Sequence, residues 1–257
     1  MSDLVLQENP APSVRLLRIN RPKARNALNT PLRKALAETF AKASKEPDLR
    51  AIVLTGDERA FVAGADLREF ANMSTAEVAR IDMRETWGVI AACPLPIIAA
   101  IRGFALGGGL ELAMHADIII AGEGAKLGQP EINVGIMPGG GGTQRLVRAV
   151  GKFRAMKMLL TGQPVSGREA FEIGLVSEVV EDADVLPRAI EMATRIASLP
   201  PLSARRIKEV VLAGADAPMD TAIMLERRAF ETLFDTADKA EGMAAFLEKR
   251  PARFKGE

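Results

Sequence analysis

Two glutamates sit in company that suits proton transfer. Glu111 follows three glycines, in Gly107-Gly108-Gly109-Leu110-Glu111-Leu112-Ala113, and Glu131 closes Gly128-Gln129-Pro130-Glu131. Two carboxyl groups can act as acid and base on one substrate when their surroundings hold them in different protonation states. The pattern alone leaves each open. Glu111 between leucines is either a solvent-facing helix residue or a carboxylate buried for a purpose. Glu131 is either that or an exposed loop residue. One short apolar segment separates them, and a strand with its return connection can bring them together.

Two further loops offer backbone N–H groups. Phe61-Val62-Ala63-Gly64-Ala65-Asp66-Leu67 follows an apolar run, and its small residues let a ligand approach the main chain. The other reading is a tight turn. Gly107 to Gly109 lead into a helix whose first N–H groups have no partner within it. Pro138-Gly139-Gly140-Gly141-Gly142-Thr143-Gln144-Arg145 is either an anion cradle or a close-packed turn, and it lacks the Lys-Ser/Thr ending of a P-loop. Gly122-Glu123-Gly124 with Gly128 has the wrong spacing for a dinucleotide fingerprint, and Pro130 opposes an immediate helix.

Other chemistries are poorly supplied. His115 is the only histidine and Cys93 the only cysteine, so an internal disulfide is excluded and Ser-His or Cys-His units and a structural zinc site are unsupported. Both read as core residues. The charge is +1, from 34 Lys+Arg and 33 Asp+Glu, so no general field grips nucleic acid. The start, Met1 to Glu8, has no basic flank before an apolar stretch and does not read as a signal peptide. The apolar runs are too short to span a bilayer. A reducing, cytoplasmic location is expected.

The elements that must position these residues read as α/β. The chain has 257 residues, 48% of them hydrophobic. Strands are expected at Val14 to Ile19, Ala51 to Thr55, Ile97 to Ile101, Asp117 to Ala121 and Gly174 to Val180. The fully apolar Ala51 to Thr55 predicts burial on both faces. A helix is expected over Asn29 to Ser44, with Thr30 as N-cap and Pro31 at the first helical position. Ser74 with Glu77 forms a capping box that opens a helix to about Ala92, and Ser166 with Glu169 forms a second. A short helix is expected at Leu110 to His115, and one or two between Gly142 and Gly162. Four helices follow at about 185–198, 201–213, 218–234 and 237–249. No fixed sequence repeat is present, though strand-strand-helix units can repeat without one. Pro200 and Pro201 mark a soft boundary, giving a core of 1–195 and a helical region of 196–257.

Taken together and in order, the motifs resemble the enoyl-CoA hydratase (crotonase) family. The resemblance runs through Asn20-Arg21-Pro22-Lys23-Ala24-Arg25-Asn26-Ala27-Leu28, Ala63 to Asp66, Gly107 to Ala113, Gly128 to Glu131, Gly139 to Arg145, and Glu241-Gly242-Met243 with Phe246 and Lys249. It implies a spiral of strand-strand-helix units with a helical C-terminal trimerisation region, forming a homotrimer or a hexamer of two trimers. It implies an acyl-CoA substrate and no metal or other cofactor. Carried over position by position, Glu111 and Glu131 are the catalytic pair, and Ala65 and Gly108 supply the N–H groups that hold the thioester oxygen. Ala63, Asp66 and Leu67 line the CoA path, Lys23 meets its adenine or phosphate end, and Phe246 and Lys249 cover the nucleotide. The expected reaction is hydration of a 2-trans-enoyl-CoA to the 3-hydroxyacyl-CoA, with Glu111 mainly activating water and Glu131 mainly exchanging the α-proton. Isomerases of the family generally lack one glutamate, and dienoyl isomerases and dehalogenases carry aspartate at key positions, so the pair favours hydration. Some members bind RNA, which the balanced charge opposes. Acyl-pocket width is expected to be set by Asn72 to Trp87 and by residues around Ile136.

Overall fold

The computed structural model describes residues 3–81 and 83–257, and side chains for all of these except residues 83–85. The chain opens with a hairpin of β1 (Val5–Ala11) and β2 (Val14–Ile19), then α1 (Thr30–Ala43). Three strand pairs follow: β3 (Ala51–Thr55) with β4 (Ala60–Val62), β5 (Ile97–Ile101) with β6 (Phe104–Leu106), and β7 (Ile118–Gly122) with β8 (Lys126–Gly128). Between the first two pairs lie α2 (Leu67–Phe70), α3 (Thr75–Ala79) and α4 (Met83–Ala91). Between the second and third lies α5 (Gly108–Ala113). After β8 come α6 (Gly142–Val150), α7 (Lys152–Thr161), β9 (Val165–Ser166), α8 (Gly167–Glu172) and β10 (Glu178–Val180). Four helices end the chain: α9 (Val185–Ala197), α10 (Pro201–Gly214), α11 (Met219–Thr232) and α12 (Ala237–Glu248).

The strands form two sheets. One has the order β1-β2-β3-β5-β7-β10 and is parallel apart from the β1-β2 hairpin. The other has the order β4-β6-β8-β9 and is parallel through β8. Each successive pair gives its first strand to one sheet and its second to the other, so the chain advances as a spiral of strand-strand-helix units with no sequence repeat.

Alternation along the central strands explains why both faces of the larger sheet are buried. Leu17, Ile52 and Leu54 face the core shared with the second sheet and with Leu32, Leu36 and Phe40 of α1. Leu16, Val53, Ile98 and Ile120 face the other way, onto Val185, Ala189, Ala193 and Ala197 of α9. The four-residue spacing of those α9 residues makes one helix face. The helix 185–197 therefore covers the sheet, whereas α10 and α11 bury none of their residues within the chain.

Several expectations change. Asn29, not Thr30, caps α1: its backbone is extended and its side chain accepts from Leu32 N, while Thr30 N and Oγ1 donate to Glu69. The expected helix from Ser74 to about Ala92 is two helices. The capping box at Ser74 and Glu77 is present, but α3 buries nothing and Val78 is exposed, so no apolar stripe carries it into α4, which buries Trp87 and Ile90. Within that stretch Asp82 lies outside the described residues, as do Met1 and Ser2 of the N-terminal stretch. β1, β4, β6, β8 and β9 were not expected at all. The helix foreseen at 110–115 begins two residues earlier, and α6 and α7 are separate, divided at Gly151.

The helix α5 packs directly on β4. A Cβ at Gly109 would lie 2.1 Å from Val62 O, a backbone atom that cannot swing aside. Gly109→Ala should therefore destabilise the protein by about 1–3 kcal/mol through overpacking, measured as a lower urea midpoint. An unchanged midpoint would show that α5 can move off the sheet.

Candidate active site

Adjacent strands β4, β6 and β8 run parallel, and their C-terminal ends carry Ala63 to Asp66, Gly107 to Glu111, and Gln129 to Glu131. Sheet order thus converts distant sequence segments into neighbouring loops, as is general for ligand sites of parallel sheets. Between these loops and α2 to α4 lies a cavity of about 340 Å³. Ala65, Gly108, Glu111 and Glu131 line it, with Leu67, Phe70, Met73, Val78, Ile81, Trp87, Ile136 and Met137 forming its mostly apolar wall. Of the residues foreseen to set its width, Met73, Val78, Ile81 and Trp87 within Asn72 to Trp87 line the wall, as do Ile136 and Met137.

Glu111 is 3% exposed. Its Oε1 accepts from Gly140 N at 2.7 Å and Gly142 N at 2.8 Å. The four-glycine run is a wrapping for this carboxylate: a Cβ at Gly140 would lie 2.5 Å from Oε2, and one at Gly142 2.9 Å from Oε1. Burial raises the Glu111 pKa, and the two N–H groups and the Arg145 charge oppose that rise.

Glu131 begins a 3-10 turn, Glu131–Val134, after β8. Burial pushes it up to about 7; its own backbone N–H opposes this and the Glu111 charge adds to it. The buried Gln129 side chain, with its amide nitrogen turned toward Glu131, donates to Oε1 at 3.0 Å and Oε2 at 3.2 Å. Gln129 was not singled out from the sequence; its place two residues before Glu131 was the available signal. The carboxyl group also fits against glycine, since a Cβ at Gly107 would lie 2.8 Å from its Oε1.

The backbones that carry the two N–H groups lie side by side at the cavity. A parallel bridge joins Leu28 and Ala65 through Leu28 N to Gly64 O (2.8 Å) and Asp66 N to Leu28 O (2.9 Å), which leaves Ala65 N outside the bridge. Gly108 opens α5, so its N–H has no acceptor within the helix. A Cβ on Gly108 would stand 3.7 Å from Ala65 N and 3.8 Å from Glu111 Oε2.

The remaining candidates are dispersed. Leu67 is half-exposed at the cavity wall. Ala63 donates its N–H to Arg25 O behind the loop. Asp66 pairs with Arg21 at 2.7 Å and caps α2, and the guanidinium beside it holds its carboxyl below the usual range. Lys23 is exposed on a 3-10 turn, Pro22–Ala24. Phe246 is 82% exposed on α12 and Lys249 caps that helix, and neither lines the cavity. Among the described residues, no group of three or more His, Cys, Asp or Glu could hold a metal ion, and no helix is long and apolar enough to cross a membrane.

A spiral of strand-strand-helix units with two carboxyl groups in one cavity at the ends of its parallel strands is the crotonase fold. The chain belongs to the enoyl-CoA hydratase/isomerase family, whose model matches residues 10–257. It is 40% identical over 256 residues to the 2,3-dehydroadipyl-CoA hydratase of Escherichia coli, covering all of both chains. It is 44% identical over 243 residues to the mitochondrial enoyl-CoA hydratase of Pongo abelii, covering 95% of this chain and 84% of that one. A crystal structure of enoyl-CoA hydratase from Bacillus anthracis superposes with a TM-score of 0.95 at 39% identity, over 99% of this chain and 100% of that one.

A carboxyl group with its pKa near 7 is protonated below that pH and ionised above it. Infrared difference spectra of the protein should show one carboxyl band lost with a midpoint of about 7 and absent in Glu131→Gln. Persistence of the band in that variant would remove the assignment.

Proposed function

We propose that this chain is an enoyl-CoA hydratase, adding water across the double bond of a 2-trans-enoyl-CoA to give the 3-hydroxyacyl-CoA. The observation that carries the reading is the pair Glu111 and Glu131, in one cavity but in different surroundings. Glu111, held by two N–H donors, is the carboxylate that takes a proton from the attacking water. Glu131, with its pKa near 7, gives its proton to the α-carbon. As the oxygen bonds to the β-carbon, charge builds on the thioester oxygen. Ala65 N–H and Gly108 N–H oppose that charge, and one such donor is typically worth about 3–4 kcal/mol. The step balances, because Glu111 ends protonated and Glu131 ends ionised, and the pair is reset by proton exchange with solvent.

An enoyl-CoA isomerase needs only one carboxyl group to carry a proton between carbons. Two carboxyls beside the same pair of donors favour hydration, with isomerisation as a side activity. Leu67 lies where the acyl-CoA chain enters. In this reading Ala63 and Asp66 shape that loop, Lys23 meets the adenine or phosphate end of CoA, and Phe246 and Lys249 cover the nucleotide. CoA is part of the substrate, and the proposed chemistry uses no further cofactor. We assign the enzyme to the cytoplasm and give it neither a nucleic-acid nor a membrane partner.

The helices α10 and α11 expose Ile207, Val211, Leu212, Met219, Ile223 and Phe230. Apolar exposure on helices that bury little within their own chain suits association of copies, so we assign a homotrimer or a dimer of trimers. Sedimentation of the full chain should return the mass of three or six copies; the mass of one copy would reject this.

The central test follows the loss of conjugated enoyl-thioester absorbance with crotonyl-CoA. Wild type should turn over, and Glu111→Gln and Glu131→Gln should each lower kcat by about 10²–10⁴-fold while acyl-CoA binding survives. Near-normal rates in both variants would end the two-glutamate reading.

A further inference from the structure

Among the described residues, three buried side-chain nitrogens have no hydrogen-bond partner: Trp87 Nε1, Arg102 Nε and Arg205 Nε. Both arginines are partly exposed. Trp87 is different. It is 5% exposed, its indole has a single N–H, and it lines the cavity that holds both glutamates. A buried unpaired donor is costly, so its position calls for a partner.

The indole nitrogen lies near Glu111. One point in space, where a Cβ of Gly140 would stand, lies 2.7 Å from Trp87 Nε1 and 2.5 Å from Glu111 Oε2. The two groups are therefore no farther apart than one bridging water spans. Oε1 of the same carboxylate is already taken by Gly140 N and Gly142 N. Oε2 is the oxygen left to act on a water.

The ring is held at this angle by His115. The two rings stack with centroids 5.2 Å apart and planes 17° apart. His115 Nδ1 lies 2.7 Å from Glu111 O; a carbonyl only accepts, so Nδ1 carries the hydrogen and donates. Burial first, then the Arg145 charge, hold the His115 pKa down to about 4. The ring is neutral at working pH and brings no charge beside Glu111. One stretch of chain thus sets both the carboxylate and the ring that orients the indole.

We propose that Trp87 is a third hydrogen-bond donor of the catalytic site, its indole N–H holding the attacking water against Glu111 Oε2, with His115 as the positioning residue behind it. The proposal rests on the hydratase reading. Trp87 keeps its proton throughout: the water oxygen bonds to the β-carbon, its proton goes to Glu111, and the α-carbon receives the proton of Glu131. The indole touches only the water, so its loss should slow water addition and spare exchange at the α-carbon. A tryptophan that merely packs would affect both steps or neither.

The test is Trp87→Phe, which keeps an aromatic stack on His115 and removes the donor. Two rates are read: hydration of crotonyl-CoA, and exchange of the α-protons of butyryl-CoA with deuterated water, which needs the enolate but no attacking water. Hydration kcat should fall about tenfold, the size of one lost hydrogen bond, with KM and α-proton exchange unchanged. Full hydration in the variant, or both rates falling together, would overturn the proposal. Because Trp87 is the only tryptophan, growth on benzothienylalanine replaces its N–H by sulfur at this position alone, in a ring of nearly the same shape. That protein should show the same selective loss even where Trp87→Phe does not fold, and wild-type hydration in it would equally overturn the assignment. A wild-type protein that exchanges α-protons but hydrates no enoyl-CoA would instead defeat the hydratase reading, and this proposal with it.

Discussion

The rest of the site depends on how a carboxyl group is held away from water. A buried carboxylate needs donors in place of its hydration shell. Glu111 finds them in the main chain, at Gly140 and Gly142. Backbone donors can come this close only where no side chain intervenes, and a Cβ at either glycine would collide with the carboxylate. The glycine run therefore fits the demands of the carboxylate better than those of a flexible hinge. It also fixes where α6 begins, because Gly142 is both a donor to Glu111 and the first residue of that helix.

The second constraint is topological. Three loops from distant parts of the sequence must meet, and neighbouring parallel strands in the order β4-β6-β8 end on the same side. The larger sheet, buried on both faces, supplies the stability; the smaller one supplies the geometry. Its strands are three residues long through β8, and their ends are crowded. Gly103 with φ +61° would place a Cβ 2.0 Å from Arg59 O. Gly107 with φ +51° turns β6 into α5 and leaves room for Glu131. Each of the three glycines before Leu110 thus answers to a different neighbour: Glu131, the Ala65 loop and Val62.

This division explains what could be read from the sequence. Strands such as Ala51–Thr55 and Ile97–Ile101 are uninterrupted apolar runs, and their burial on both faces follows from composition. The Ser74 and Ser166 capping boxes are local chemistry and were legible for that reason. The second sheet was not, since three residues show neither alternation nor a helical period. Nor was β1, whose outward residues are polar and which carries Pro10 on a sheet edge, where a missing N–H is tolerated. At the site, the glycine-glutamate patterns marked the right loops, but their local sequence could not distinguish a buried Glu111 from an exposed one. The distinction comes from Gly140 and Gly142, about 30 residues away, which is a matter of tertiary contact.

The two carboxyl groups share a cavity yet take their surroundings from different elements. Glu111 is governed by α5, the glycine run and the charge of Arg145. Glu131 is governed by its own 3-10 turn and by Gln129 at the end of β8. Their electrostatic coupling is direct, because the charge of Glu111 raises Glu131. A proton leaving Glu131 must therefore place a second negative charge near the first, unless one moves onto Glu111 in the same cycle. In the hydration we propose, the water proton arrives on Glu111 as the other leaves Glu131. The charge in the cavity stays nearly constant along the reaction, which a low-dielectric site favours over separate ionisation of either group.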